Sequence, residues 1–110
     1  MSDWVTVCDE SDLIPGTGVC ALLGADQQVA VFKTRKNSAV YAISNYDPIG
    51  KANVLSRGIT GSIGDDIVVA SPLYKQHFNL ATGACLEDSE QSVKTYPVRI
   101  EAGKVQLKTN

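Results

Sequence analysis

The sequence contains few of the residues, cysteine and histidine, from which small metal and redox sites are usually built. Of its 110 residues, three are cysteine and one is histidine. The cysteines stand at positions 8, 20 and 85, so no pair has the Cys-x-x-Cys spacing of a zinc or dithiol site. An odd number of cysteines also argues against the disulfide framework of a small secreted domain. We therefore expect all three to be reduced and buried as small apolar side chains.

The sequence also lacks an excess of basic charge and a long apolar run. The sequence has ten Lys and Arg and 12 Asp and Glu, which gives a net charge of −2 at pH 7. This balance provides no excess of basic residues for binding nucleic acid. The longest apolar stretch, 19–23, is far too short to span a bilayer. The first residues lack the basic and apolar regions of a signal peptide. We therefore expect a cytoplasmic protein that binds neither nucleic acid nor membrane.

What the sequence does contain is the pattern of short β-strands. Residues 28–34 and 39–43 are rich in β-branched and aromatic side chains and flank a turn signal at 36–38, which predicts a hairpin. Residues 93–100 and 104–108 predict a second hairpin. The remaining predicted strands are 4–8 and 66–70, and Pro97 marks an edge or a bulge because proline cannot donate to a ladder.

Helical periodicity is limited to one short turn that starts at Asp9 or Ser11. Many short strands separated by Gly and Pro turns predict an all-β fold, a sandwich or a barrel. No linker or repeat divides the sequence. We therefore expect a single domain over residues 1–110.

Residues 44–64 are the exception to this regular patterning. The segment contains four glycines and no clear strand before residue 67, and loops of that length in small domains are usually functional. Its glycines are not followed by the Lys-Ser/Thr pair of a P-loop. Ser71 and His77 lie near each other in the sequence, but no Gly-x-Ser-x-Gly elbow surrounds the serine. The sequence therefore predicts no catalytic site of its own.

Two segments resemble the cluster-binding loops of Rieske iron–sulfur domains. Residues 70–83, ASPLYKQHFNLATG, resemble the second loop, in which Cys-Pro-x-His is followed after a short spacer by Phe-Asp-x-x-Thr-Gly. Residues 43–48, ISNYDP, stand where the first loop has Cys-x-His. The resemblance runs from Trp4 to Lys108 and implies a Rieske-like antiparallel β-sandwich with a small, vestigial cluster-binding lobe.

The residues at the four ligand positions depart from the family's pattern. The resemblance places Asn45 and Asp47 at the first Cys and His positions. It places Ser71 and Tyr74 at the second pair. A Rieske cluster takes two thiolates on one iron and two imidazoles on the other, and hard oxygen and amide donors do not replace that set. Since His77 lies beyond the family's histidine position, we expect no metal and no cofactor in this chain.

The residues that replace the ligands are similar to one branch of these domains. Val-Leu-Ser-Arg-Gly at 54–58 and Ala-Ser-Pro-Leu-x-Lys-Gln at 70–76 resemble the small subunits of cytoplasmic NAD(P)H-dependent nitrite reductases. That family implies a large partner subunit, carrying FAD, an iron–sulfur cluster and sirohaem, that reduces nitrite to ammonium. It also implies an accessory role for the small subunit, needed for activity of the holoenzyme but without activity of its own.

The role that remains for such a chain is to bind another protein. The two loops form one tip of the sandwich, and we expect this tip to bind the large subunit near its redox centres. An alternative is that Tyr46, Leu73 and Tyr74 only fill the space that a cluster would take. The candidate contact residues are Tyr46, Pro48, Ile49, Arg57, Pro72, Leu73, Lys75 and His77.

Two functions of other classes stay open at this point. The chain could be a stand-alone Rieske-type ferredoxin with unusual ligands, which would be brown when pure. It could also be a regulatory β-domain of an unrelated pathway, which only the identity of the partner excludes.

Overall fold

The regular secondary structure of the protein is almost entirely β-strand, as the sequence predicts. The structure is a computed structural model that describes residues 4–23, 27–34, 39–73 and 75–108. Within these residues the helices are two short 3-10 turns, Glu10–Asp12 and Leu55–Arg57, and no helix is long and apolar enough to cross a membrane. The strands are β1 (Trp4–Asp9), β2 (Gly18–Leu22), β3 (Gln28–Lys33), β4 (Val40–Ser44), β5 (Tyr46–Asp47), β6 (Ala52–Asn53), β7 (Ile59–Ile63), β8 (Asp66–Ala70), β9 (His77–Asn79), β10 (Thr95–Tyr96), β11 (Val98–Glu101) and β12 (Lys104–Lys108).

The central layer is an antiparallel sheet in the order β10-β4-β3-β2. Its strand β3 has core side chains on both faces. Val29 and Val31 pack into one apolar cluster, and Ala30 and Phe32 pack into a second cluster on the opposite face. This double burial explains why 28–34 is a nearly continuous apolar run. The β3–β4 pairing confirms the first predicted hairpin, whose turn at 36–38 lies outside the described residues.

The first cluster is covered by a sheet in the order β1-β12-β11. Val105 and Leu107 of β12 are fully buried in it, and the β11–β12 pairing confirms the second predicted hairpin. The prediction of one strand over 93–100 is wrong. Pro97 divides it, so that β10 pairs with β4 while β11 pairs with β12. The reason is that proline has no N–H with which to continue either ladder.

The second cluster is covered by a lobe with the sheet order β7-β8-β9 and the small β5–β6 hairpin. The expectation that 44–64 lacks regular structure is therefore wrong. The segment contains β5, β6, the second 3-10 turn and β7. Most side chains of β7 are exposed and Gly61 packs against nothing, so the strand has no hydrophobic signature in the sequence.

The cysteines differ in exposure. All three are free thiols, but only Cys85 is buried, Cys8 is half-buried and Cys20 is exposed. The expectation of three buried cysteines therefore holds for Cys85 alone; it is wrong for Cys20, and Cys8 is buried only in part. On edge strand β2, Ala21 packs into the first cluster, so its neighbour Cys20 points to the opposite face.

Candidate functional site

Two loops of the lobe meet at one tip of the molecule. The first begins at Asn45, directly after β4, and continues through the β5–β6 hairpin. The second joins β8 to β9 over residues 71–76 and is closed by a hydrogen bond from Ser71 N to Gln76 O of 2.9 Å. These are the loops that the resemblance aligned with the cluster-binding loops.

Asn45 is buried and fully hydrogen-bonded, with 2% of its surface exposed. Its Nδ2 donates to Gln28 Oε1 at 3.1 Å and to Cys20 Sγ at 3.5 Å. Its Oδ1 accepts from Ser56 N at 2.7 Å. The side chain therefore connects the first loop to β2, β3 and the second 3-10 turn.

Asp47 and Ser71 form a buried pair that joins the two loops. They are 0% and 1% exposed, and the Ser71 hydroxyl donates to Asp47 Oδ2. The other carboxylate oxygen accepts from Ile49 N at 2.8 Å and Gly50 N at 3.0 Å. Ser71 Oγ also accepts from Leu73 N at 3.3 Å. Because a buried carboxylate without donors is costly, this set of bonds holds both loops in one arrangement.

The three described ligand positions therefore form two separate networks. Asp47 and Ser71 bond to each other, whereas Asn45 bonds toward the central sheet. Tyr74, the fourth position, lies outside the described residues. Within the part of the chain that the structure describes, no group of three or more His, Cys, Asp or Glu side chains is arranged to hold a metal ion.

His77 bonds to a different partner from the one that a Ser–His dyad would need. Its Nδ1 lies 2.6 Å from Glu87 Oε2, and its backbone N–H donates to Glu87 Oε1 at 2.7 Å. The backbone hydrogen bond is the main cause that lowers the pKa of Glu87 below its usual value. Since the Ser71 hydroxyl donates to Asp47 and His77 bonds to Glu87, the two residues do not pair with each other.

The predicted contact residues divide by exposure. Tyr46 and Leu73 are 42% and 46% exposed, so neither fills a space in the interior. Ile49 instead packs against the second core cluster. Pro48 and His77 are half-buried, and the remaining contact candidates, Arg57, Pro72 and Lys75, are exposed.

Several of these residues surround one cavity of about 490 Å³. Arg57 of the second 3-10 turn and Ile59 of β7 line one side, and Pro72 and Lys75 of the second loop and His77 of β9 also line the cavity. Tyr46 is not among the residues that line it. The structure thus brings four predicted contact residues together around an apolar, cationic depression.

Sequence reasoning missed Ile59, whose side chain is 77% exposed beside the cavity, because it fell in the segment interpreted as a loop. It also missed Gln28 and Ser56 as partners of Asn45. These hydrogen bonds span 17 and 11 residues, and no local pattern in the sequence indicates them.

Comparison with known proteins supports the resemblance. A family model described as "Rieske-like [2Fe-2S] domain" matches residues 3–108. The nitrite reductase (NADH) small subunit of Escherichia coli (strain K12) is 49% identical over 108 residues, which cover 98% of this chain and 99% of that protein. The solution NMR structure of the nitrite reductase NAD(P)H small subunit from Erwinia carotovora matches with a TM-score of 0.83 and 54% identity, over 100% of this chain and 84% of that one.

A larger protein also contains a related stretch. The nitrite reductase NAD(P)H large subunit of Klebsiella oxytoca is 42% identical over 102 residues, which are 93% of this chain but only 10% of that protein. The matches to the small subunits, in contrast, extend over 99% and 84% of those proteins. The chain belongs to the Rieske-like [2Fe-2S] domain family and, within that family, to the nitrite reductase small subunits.

Proposed function

We propose that this chain is the accessory small subunit of an NAD(P)H-dependent nitrite reductase, an oxidoreductase that converts nitrite to ammonium. Relatives named as small subunits of this enzyme match it from end to end at 49% and 54% identity. The chain works in the cytoplasm beside a large subunit on which FAD, an iron–sulfur cluster and sirohaem are expected from the family. The small subunit itself has no catalytic residue.

The partner is the large subunit. Support comes from the Klebsiella oxytoca large subunit, of which a 102-residue stretch is 42% identical to this chain. In that protein a domain of this kind is part of the same polypeptide as the rest of the large subunit. A domain joined covalently in one protein and separate in another is expected to keep the same contact in both.

We further propose that the chain holds no [2Fe-2S] cluster, because the donor set at the tip does not fit one. A Rieske cluster needs two thiolates and two imidazoles. The described ligand positions instead offer an amide, a carboxylate and a hydroxyl, which are directed at protein atoms. Asp47 is already satisfied by two backbone N–H groups and the Ser71 hydroxyl. Binding iron there would break the bonds that join the loops.

The observation that carries the proposal is the buried Asp47–Ser71 pair. It fixes the shape of the tip with protein groups alone, while Leu73 and Arg57 remain exposed around it. A rigid, partly apolar surface is suited to binding a partner, because little conformational entropy is lost when it docks. The contribution of the chain to the enzyme is therefore a contact that orders the large subunit or shields it from water.

The test is a tagged pull-down from the native cells grown on nitrite as sole nitrogen source, with an untagged culture as control. We expect a large partner that carries flavin and sirohaem absorption bands and consumes nitrite with a reduced nicotinamide. Elution of the chain alone, or with a partner that does not reduce nitrite, would contradict the proposal.

A second measurement separates the cofactor question from the partner question. The purified chain is expected to be colourless, with no iron or sulfide above that of a buffer blank. A brown product with stoichiometric iron and sulfide would support the ferredoxin alternative instead.

A further inference from the structure

The two tip loops share one local feature, the backbone conformation and hydrogen bond of a lysine. Residues 47–51 read Asp-Pro-Ile-Gly-Lys and residues 71–75 read Ser-Pro-Leu-Tyr-Lys. In each loop the carbonyl oxygen of the first residue accepts a hydrogen bond from the N–H of the lysine, at 2.7 Å for Lys51 and 3.0 Å for Lys75. Both lysines have left-handed backbone conformations, with φ of 57° and 63°. We name residues 47–51, and residues 71–73 together with Lys75, the lysine turns.

Lysine is not the residue that this backbone prefers. Glycine and asparagine adopt the left-handed region more readily than residues with long side chains. Outside the lysine turns, the described non-glycine residues include one with positive φ, Ala102, which lies in the β11–β12 turn. Since the local conformation gains nothing from lysine, the reason for two lysines at matching places lies in what their side chains contact.

The charges at the tip are also unlike those elsewhere on the protein. Lys51, Arg57 and Lys75 are exposed, and among the described residues none of them has an ion pair or an aromatic ring as partner. The other described lysines and arginines are all engaged: Lys33 with Glu10, Lys104 with Asp9, Lys94 over Tyr96, and Arg99 and Lys108 over Trp4. Within the residues that the structure describes, the cations without such a partner are thus those of the tip, in a chain whose net charge is −2.

Apolar groups lie between these cations. Leu73 rests directly over Gly50, since a Cβ at that glycine would lie only 2.5 Å from Leu73 Cδ1. Ile59 and Pro72 line the cavity that Arg57 and Lys75 also line. Exposed apolar side chains surrounded by cations match the usual anatomy of a protein interface, with an apolar centre and a polar rim.

We propose that the lysine turns and Arg57 form the surface on which an acidic, apolar-centred patch of the large subunit docks. This inference rests on the function proposed above and adds the location and the chemistry of the contact. The tip is cationic whereas the chain as a whole is acidic. An acidic partner is therefore attracted to the tip and repelled by the remaining surface, so the chain approaches the large subunit in one orientation. A small anion would use the cations but would gain nothing from Ile59 and Leu73.

The test uses the separately purified large subunit and measures binding of the chain at low and at physiological salt. The variant is Lys51→Glu/Arg57→Glu/Lys75→Glu. The control is Lys33→Glu/Lys94→Glu/Lys104→Glu, which makes the same change of net charge on cations whose partners are within the fold. Circular dichroism confirms that both variants are folded.

We expect the tip variant to raise the Kd about ten-fold or more, chiefly through slower association, and to lose the salt dependence of binding. We expect the control to bind within about two-fold of the wild type, because exposed ion pairs contribute little.

A third variant separates the side chains from the turns. Lys51→Gly/Lys75→Gly keeps the left-handed conformation and should melt at or above the wild-type temperature. It should nevertheless bind the large subunit more weakly. Unchanged affinity in this variant would show that the lysine side chains do not contribute to binding the large subunit and would overturn the proposal.

The remaining outcomes are distinct. If the wild type binds and the tip variant binds equally well, the docking surface is wrong while the proposed function stands. If the wild type does not bind the large subunit at all, both are wrong. If inorganic phosphate alone saturates the tip of the wild type at one equivalent, the surface is an anion site and the proposal of a protein partner fails.

Discussion

Replacing Ser71 by alanine tests whether the Asp47–Ser71 pair holds the tip together. The change removes the hydroxyl that donates to Asp47 Oδ2 and leaves that oxygen buried, since the two residues are 1% and 0% exposed. The backbone of both loops and the other two donors to Asp47 remain in place. The measured loss therefore reports mainly on one interaction.

The expected cost follows from the environment of that oxygen. A hydrogen bond to a charged group contributes about 1.5–3 kcal/mol, and a buried acceptor left without a donor loses that whole amount. The bond from Leu73 N is long at 3.3 Å, and Leu73 is 46% exposed, so water can replace it. We therefore expect Ser71→Ala to lower the free energy of unfolding by about 2 kcal/mol. For a domain of this size the melting temperature falls by roughly 10 °C.

The assay is urea unfolding followed by circular dichroism, with Ser62→Ala as the matched control. Ser62 is exposed on β7, so the same chemical change there should cost less than about 0.5 kcal/mol. A double-mutant cycle with Asp47→Ala isolates the pair, and we expect a coupling energy of about 1–3 kcal/mol. Equal stability of the two serine variants, or an unchanged cost of Ser71→Ala after Asp47 is removed, would refute the reasoning.

Two further predictions concern other parts of the fold. Gly83 is buried with φ of 80°, and a Cβ there would lie 2.1 Å from Val93 O, so Gly83→Ala should cost about 3 kcal/mol. Gly61→Ala, where a Cβ meets nothing within 4 Å, should unfold at a urea midpoint close to the wild type, and equal losses at the two sites would contradict the structure. Iodoacetamide should alkylate Cys20 before Cys8, because Cys20 is exposed whereas burial and two nearby carboxylates raise the pKa of Cys8. A time course by mass spectrometry checks the order, and faster modification of Cys8 would disprove it.

The elements that the sequence predicts well are those with a strong local signal. Strand β3 is an apolar run because both of its faces are buried, and β12 shows the alternation of a strand buried on one face. Strand β7 has neither pattern, because it is an exposed edge strand that owes its conformation to pairing with β8. Pro97 correctly marks an irregularity, but the sequence does not indicate that the chain passes from one sheet to another there.

The candidate site is also predictable from the sequence only in part. The resemblance to Rieske loops located Asn45, Asp47 and Ser71, and all three lie at the tip or directly behind it. That the Ser71 hydroxyl would meet the Asp47 carboxylate is a contact across 24 residues, which depends on how the lobe closes. Whether a residue such as Leu73 faces the core or the solvent depends equally on packing at the tip. Such long-range information is absent from any local pattern of residue types.

The bond between Ser71 and Asp47 has a consequence for how the subunit matures. When a metal joins two loops, their arrangement is complete only after the metal has been delivered, and it is lost when the metal is removed. Here the groups that close the tip are side chains of the polypeptide itself. Under the proposal that the chain holds no cluster, the tip takes its shape as the chain folds, whatever the supply of iron or the oxidation state of the cell. The proposal implies that a newly made subunit needs no separate step of cofactor insertion before it binds its partner.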